Sequence, residues 1–418
     1  MKHFYLISLL LFIGSVASAQ DCSDSDVRGT VDVPLVHAFS QEQRDNWPRA
    51  TEIQSKLANR YKGESTKVFY ELAEPYDPKK ESLILVGGFY PWQNLPLVSK
   101  GSFSYLKKEF NVLEIHFRGG GCSSTPAGLD PLVYTHEMIA SDIEAVRQKL
   151  GISKFNGWAS SNGSYVMLMY AVFFPENVDK VLLRDTSIYV PTELKSSQNF
   201  EQNLLPEFLG PKKTQGLLFI KQKDPAIYKK LMKYFGTIFF RRAEARQIVL
   251  DVLDIVTQSL IIGDNQAITD LFQKLDLKLN DVLPWNESVY ANECLSSPDS
   301  NVDLLHIDDI FVIEYSPRRC VPYVQQHKTS VISDLDFRGR LDHLTNPFFI
   351  YQGYWDEYLY KDLAIELAGE LKNSQIYIDP NAGHGEISRT TFPCFAQILG
   401  GFLTNPTSTA YQTVCVAP

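Results

Sequence analysis

Gly157-Trp158-Ala159-Ser160-Ser161-Asn162-Gly163 stands between two apolar runs of different rhythm. Lys154 to Ser160 reads as a short buried strand, and Tyr165 to Phe174 as an apolar helix that ends before Pro175. A serine squeezed into so sharp a strand-to-helix turn is lifted to the top of a sheet, as in a nucleophile elbow, whose usual spacing is G-x-S-x-G. Here the pattern is Ala159-Ser160-Ser161-Asn162-Gly163, with Ala one methyl larger than Gly in the first position. Three serines compete for the role. Ser160 has Trp158 and Asn162 two residues away, Ser164 has Asn162 and Val166, and only Ser161 has small residues on both sides. The bland alternative is a serine-rich helix N-cap.

Upstream, strand-like runs lie at Val31 to Val36 and Val68 to Leu72, and a buried strand at Leu83 to Val86 breaks at Gly87-Gly88. A helix around Ser102 to Glu109 leads to a strand at Asn111 to Phe117, which ends in Arg118-Gly119-Gly120-Gly121-Cys122-Ser123-Ser124. Glu137 to Leu150 carries Ile139, Ile143, Val146 and Leu150 along one helical stripe. After the elbow helix comes a strand at Val178 to Leu183. Strands alternating with helices in this way predict a mostly parallel sheet with helices on both faces. From Pro191 the rhythm becomes helical, clearest at Tyr228 to Phe240 and Ala243 to Leu260, which predicts an inserted cap over the sheet. Alternation resumes with a strand at Pro347 to Gln352, a helix at Tyr358 to Leu371, a strand at Gln375 to Ile378 and a helix from Thr391 to Leu403.

Lys2 and His3, an apolar run from Phe4 to Val16, and Ala17-Ser18-Ala19 make the basic start, apolar stretch and A-x-A site of a secretory signal peptide. Export to the periplasm or beyond is therefore expected. The run is too short for a membrane span, and no later stretch is apolar enough for one. Cys22 lacks the preceding small residues of a lipoprotein site, so no lipid anchor is expected. The expected division is 1–19 signal peptide, 20–190 first part of the core, 191–335 helical cap, and 336–418 second part of the core. A net charge of −9 without a basic stripe argues against a nucleic-acid partner.

The six cysteines include no C-x-x-C pair, which weakens zinc and redox readings. An even number in an exported chain favours disulfides, with many pairings open. Local loop closure favours Cys294–Cys320 and Cys394–Cys415, leaving Cys22–Cys122 by elimination. Asp303, His306, Asp308 and Asp309 lack a second spaced pair and read as a solvated acidic turn. No metal or cofactor is expected.

A serine hydroxyl is a weak nucleophile and needs a general base that is itself oriented by a carboxylate. In a sheet of this type the order is Ser, acid, His, with the partners on loops after late strands. Asp356 follows the strand at Pro347 to Gln352, with Glu357 as competitor. His384 lies between Gly383 and Gly385 after the strand at Gln375 to Ile378. His37, His116, His136, His306, His327 and His343 read as surface or locally hydrogen-bonded residues. Donors for an oxyanion are expected from the backbone N–H of Asn162 and of Gly88, with Phe89 in reserve.

These motifs resemble the α/β-hydrolase peptidases that include proline iminopeptidases and secreted bacterial tripeptidyl aminopeptidases. Cys22 followed by Val31-Asp32-Val33-Pro34-Leu35 is similar to the family's amino-terminal cysteine and V-P-L segment. Val86-Gly87-Gly88-Phe89-Tyr90 sits where the family has H-G-G-P-G, and Arg118 to Ser123 matches its R-G-x-G-x-S turn, with His116 where an Asp is usual. Tyr165 to Val178, Gly353 to Asp356 and Gly383-His384-Gly385 resemble the helix after the elbow and the acid and base loops. Cys394 with Cys415, and Cys294 with Cys320, resemble the closing and cap cysteines. The resemblance implies an α/β-hydrolase fold with a mainly helical cap, and an exopeptidase acting on free peptide amino termini through Ser161, His384 and Asp356. Glu287, Glu293 and Glu314 are then candidates for the substrate ammonium, Glu293 foremost. The cap matches weakly, so a carboxylic ester or small acyl substrate is the alternative, followed by a non-catalytic binding protein. An epoxide hydrolase or dehalogenase would need an Asp at the elbow.

Overall fold

The computed structural model describes residues 22–57, 59–87, 98, 103–126, 128–191, 193–238, 243–279, 323, 325–330, 332–385 and 392–406. In chain order the main elements begin with β1 (Arg28–Pro34), α1 (Gln41–Asn46), α2 (Pro48–Leu57), β2 (Ser65–Leu72), β3 (Glu81–Val86) and β4 (Phe110–Ile115). Then follow α3 (His136–Lys149), β5 (Phe155–Ser160), α4 (Asn162–Phe173) and β6 (Val178–Arg184). A helical stretch comprises α5 (Glu193–Asn199), a π-turn at Phe200–Leu204, α6 (Leu205–Lys223), α7 (Pro225–Ile238), α8 (Ala243–Ile262) and α9 (Asn265–Leu279). The chain returns with β7 (Phe348–Gly353), α10 (Lys361–Glu370), β8 (Ser374–Asp379) and α11 (Phe392–Thr404).

The strands form one eight-stranded sheet in the order β1-β2-β4-β3-β5-β6-β7-β8. β1 and β2 are antiparallel to their neighbours, and from β4 to β8 every pairing is parallel. Parallel strands are buried on both faces, which is why β3 reads as an apolar run from Leu83 to Val86 and why even Asn156 and Ser160 of β5 are buried. Period-two alternation still sorts their side chains. Ile84 and Val86 join the cluster packed under α3, α4 and α10, whereas Leu83, Leu85 and Trp158 join Phe395, Ile398 and Phe402 of α11 on the opposite face. Every residue of α4 is buried, so the helix shows no polar stripe in sequence. A third apolar cluster belongs to the π-turn and α6–α9 and includes Tyr358 and Leu359 from the loop after β7.

Register fixes where chemistry can occur. Val86 pairs with Ala159, Ser160 with Arg184, Arg184 with Tyr351, and Gly353 with Asp379. The carboxyl ends of β3, β5, β6, β7 and β8 therefore line one edge, the side on which α/β sheets bind ligands.

Two expected helices differ. The segment around Ser102 to Glu109 has only a 3-10 turn at Ser104–Leu106 among its described residues. Phe103 and Leu106, three apart, are buried by that single turn before β4 begins. The helix expected from Tyr358 starts only at Lys361, because the amides of Tyr358 and Leu359 donate to Asp356 Oδ1 instead of entering a helical turn. α1 and α2 have no counterpart in the sequence reading, whereas α5, α6 and α9 fall in the stretch from Pro191 that it expects to be helical. Residues 1–19, Gly88, Phe89, the acidic turn at 303–309, the cap carboxylates Glu287, Glu293 and Glu314, and the pairs Cys294–Cys320 and Cys394–Cys415 involve positions outside the described residues. No helix among the described residues is long and apolar enough to cross a membrane.

Cys22 and Cys122 are disulfide-bonded, 100 residues apart in sequence, and tie the chain before β1 to the glycine-rich turn after β4. Closing a loop of that size removes roughly 5 kcal/mol of unfolded-chain entropy in the loop model, and removal of native disulfides costs about 2–5 kcal/mol. The Cys22→Ser/Cys122→Ser variant is expected to lose that much unfolding free energy and so to unfold at a lower urea midpoint with an unchanged slope. An unchanged midpoint would mean that the segment before β1 docks without help from the bond.

Candidate active site

Ser161 occupies the turn between β5 and α4 with φ 54° and ψ −130°. A positive φ costs a side-chain-bearing residue about 1–3 kcal/mol and persists only where neighbours over-determine it. Here the Ser161 N–H donates to the Arg184 carbonyl at 2.9 Å, and the Ser164 N–H returns to the Ser161 carbonyl at 2.8 Å. A Cβ at Gly163 would overlap the carbonyl oxygens of Val86 and Gly87, so only glycine lets α4 approach β3 this closely. Ser160 and Ser164 are held elsewhere. Ser160 Oγ accepts from Arg184 Nε at 3.0 Å and Nη2 at 2.8 Å, and Ser164 Oγ donates to the Arg184 carbonyl at 3.2 Å.

Ser161 Oγ lies 2.9 Å from His384 Nε2, and His384 Nδ1 lies 2.8 Å from Asp356 Oδ2. Asp356 is fully buried, and its two oxygens also accept from Gln352 Nε2 at 2.9 Å, Tyr358 N at 3.0 Å and Leu359 N at 2.8 Å. Those donors fix the carboxylate, and the carboxylate fixes the imidazole with Nδ1–H donating and Nε2 free to accept from Ser161. Asp356 makes the imidazole bond; the competitor Glu357 is buried beside it. The acid and base loops are stitched by Tyr354 N to Asp379 O at 2.9 Å, Trp355 N to Ala382 O at 3.0 Å and Trp355 Nε1 to Pro380 O at 2.8 Å. Gly353 is needed at their crossing, since a Cβ there would sit 2.6 Å from the Gly383 carbonyl oxygen.

Asn162, the expected first oxyanion donor, is the first residue of α4, where helix amides point at incoming negative charge. Its side chain is anchored: His136 Nε2–H donates to Asn162 Oδ1 at 2.7 Å. Burial pushes the His136 pKa down to about 4, which keeps the ring a neutral donor near pH 7. In sequence His136 reads as a surface or locally hydrogen-bonded residue, yet it reaches the elbow from the start of α3. His116 is local but fully buried; its Nδ1 accepts from Cys122 N at 3.1 Å, and burial lowers its pKa to about 3. His37 bonds Asp142 at 2.8 Å, beside the buried Arg118–Asp142 pair.

One residue at this edge was missed from sequence. Asp185 follows β6 with φ 48° and is buried. Its Oδ2 accepts from Gly385 N at 2.9 Å and lies 3.1 Å from Arg184 Nε, and its Oδ1 accepts from Gly353 N at 3.4 Å. Burial pushes its pKa up to about 6, against the opposing pull of Arg184 and His384. The available signal was a carboxylate directly after the strand between the elbow strand and the acid strand. Among the described residues no group of three or more His, Cys, Asp or Glu side chains could hold a metal ion.

Residues 82–222 match a family model described as the alpha/beta hydrolase fold. The chain has that fold, with its mostly parallel sheet flanked by helices, and the fold supports hydrolase activity. No curated protein matches the chain. Among solved structures it is similar to a proline iminopeptidase of Mycobacterium smegmatis, with 13% identity over 84% of this chain and 93% of that one, TM-score 0.47. MGS-M2, an alpha/beta hydrolase enzyme from a Medee basin deep-sea metagenome library, has 13% identity over 83% and 97% of the two chains, TM-score 0.46. A thermophilic esterase from Thermogutta terrifontis has 15% identity over 81% and 92%, TM-score 0.41. Likeness at this level says nothing of substrate.

Because members of such a relay act as a unit, Ser161→Ala is expected to lower kcat by a thousandfold or more, on the order measured for other serine nucleophiles. Ser160→Ala removes only an acceptor for Arg184 and should stay within about tenfold of wild type. Hydrolysis assays on the two folded variants check this; the reverse ranking would place the elbow one residue earlier.

Proposed function

We propose that this chain is an exported serine hydrolase of aminopeptidase type, cleaving residues from free peptide amino termini. The observation that carries the hydrolase reading is the continuous Ser161–His384–Asp356 relay, with both hydrogen bonds under 3 Å. The disulfide is compatible with export. The peptidase reading is supported by the sequence motifs at Val31 to Leu35, Arg118 to Ser123 and the acid and base loops.

Ser161 Oγ attacks the scissile carbonyl carbon while its proton passes to His384 Nε2. Asp356 Oδ2 holds Nδ1–H and stabilises the imidazolium that results. The carbonyl oxygen becomes an oxyanion, for which the Asn162 amide at the start of α4 and the Gly88 amide are the proposed donors. Collapse of the adduct breaks the C–N bond, and His384 returns the proton to the leaving amine. Water then repeats the sequence on the acyl-enzyme, releasing the amino-terminal product and free Ser161.

Residues 191–335 are proposed to form the cap that selects substrate. This is supported by contacts of α5, α6 and α8 with the two loops of the relay. Ser196 Oγ donates to the Tyr358 carbonyl at 3.0 Å, Arg246 Nη2 to the Asn381 carbonyl at 2.5 Å, and Phe208 packs edge-on to Trp355 at 5.6 Å. In this reading a cap carboxylate, Glu293 foremost, receives the substrate ammonium.

Profiling against peptides with free and acetylated amino termini tests the substrate class. A free terminus should be preferred by on the order of a hundredfold in kcat/KM, the ~3 kcal/mol scale of a lost charge pair. Activity on such peptides should also fall on the alkaline side near the α-amino pKa of about 8, because the ammonium form is the one bound. Short acyl esters carry no such group and should show no alkaline limb there. Equal turnover of acetylated peptides, or preference for esters, would assign the site to general acyl hydrolysis instead.

A further inference from the structure

We propose that Asp185 is a positioning residue of the relay, whose carboxylate ties the acid loop and the base loop to the end of β6 and so sets His384 against Ser161. The inference rests on the serine-hydrolase reading above and assigns to that site a fourth residue that touches neither substrate nor reacting atoms.

The geometry is specific. One oxygen takes the N–H of Gly385, the residue directly after His384, and the other takes the N–H of Gly353, three residues before Asp356. Asp185 N itself donates to the Tyr351 carbonyl at 2.9 Å, and the preceding Arg184 carbonyl holds the Ser161 amide. A single dipeptide at the end of β6 thus fixes the nucleophile through its main chain and both partner loops through its side chain. A carboxylate is suited to this, because each oxygen accepts; a neutral acid has one oxygen turned into a donor.

Such a residue also carries electrostatic consequence. The charged and titratable groups around it are Arg184 on its own strand, Asp356 and Tyr351 from β7 and its loop, and His384 from the base loop. Tyr351 OH is bonded to Asp379 at the end of β8, so that carboxylate is engaged one strand away. The Asp185 charge favours the imidazolium that forms on His384 during attack. Burial among these groups raises its own pKa to about 6, so the ionised form is present above that value and is lost as pH falls through it. The sign follows: acidification removes both the neutral imidazole and the carboxylate that positions it. The acid limb of the reaction should therefore be steeper than one ionisation allows.

The test uses phosphonylation by a fluorophosphonate, which forms the Ser161 Oγ–P bond, expels fluoride and sends the serine proton to His384. This probe has no ionisable amine of its own, so the pH dependence of labelling belongs to the enzyme. Wild type should label with an acid limb approaching two ionisations. Asp185→Asn keeps the shape and tolerates φ 48°, and Asp185→Gly keeps the backbone and removes the side chain. Each should label about 10- to 100-fold more slowly, the scale of a small misplacement at a reacting centre, and with a limb reduced to one ionisation. On a turned-over substrate the loss should appear in kcat, with KM within about threefold. Unchanged labelling rate and limb in either folded variant would overturn the proposal. A wild-type protein that does not label at all overturns the hydrolase reading, and this one with it.

Discussion

The hydrogen bond from the Ser161 amide to the Arg184 carbonyl holds the backbone conformation on which the site depends. A serine at positive φ is unfavourable alone, and the parallel pairing of β5 with β6 supplies the carbonyl that stabilises it. From the same strand end the Arg184 guanidinium secures Ser160, and its carbonyl also receives the Ser164 hydroxyl. Strain at one residue is thus offset by a register that spans the sheet. The crossing of α4 over β3 at Gly163 closes the arrangement, because nothing larger fits beneath the carbonyls of Val86 and Gly87.

Much of this was legible in the sequence for definite physical reasons. Leu83 to Val86 of β3, Val181 to Leu183 of β6 and Phe348 to Tyr351 of β7 are buried apolar runs, and they announce a parallel sheet. Ser161, Asp356 and His384 announce themselves because each follows a strand in the order that the chemistry requires, and the structure brings all three within hydrogen-bonding range. Legibility fails where a role depends on register between distant strands. Asp185 meets Gly353 and Gly385 only because Arg184 pairs with Tyr351 and Gly353 with Asp379. His136 reaches Asn162 only because α3 packs along α4, and nothing local in His136-Glu137-Met138 marks it.

The misplaced start of α10 teaches the same lesson at shorter range. Tyr358 to Tyr360 has helical composition, but Asp356 competes for its amides and wins, because a buried carboxylate left short of donors costs more than one lost helical turn. Local propensity yields where a buried charge must be satisfied. The deviation from pattern therefore marks the acid loop as clearly as the residue type does.

The bonds from Ser196 to the Tyr358 carbonyl and from Arg246 to the Asn381 carbonyl join α5 and α8 to the two loops that carry Asp356 and His384. With the proposed role of these helices in selecting substrate, recognition and chemistry would share a mechanical frame. A lineage of such proteins changing its diet by altering these helices would be altering the aim of its imidazole at the same time. Substrate range and turnover would then evolve as coupled traits, with new preferences arising most readily from positions that touch neither loop.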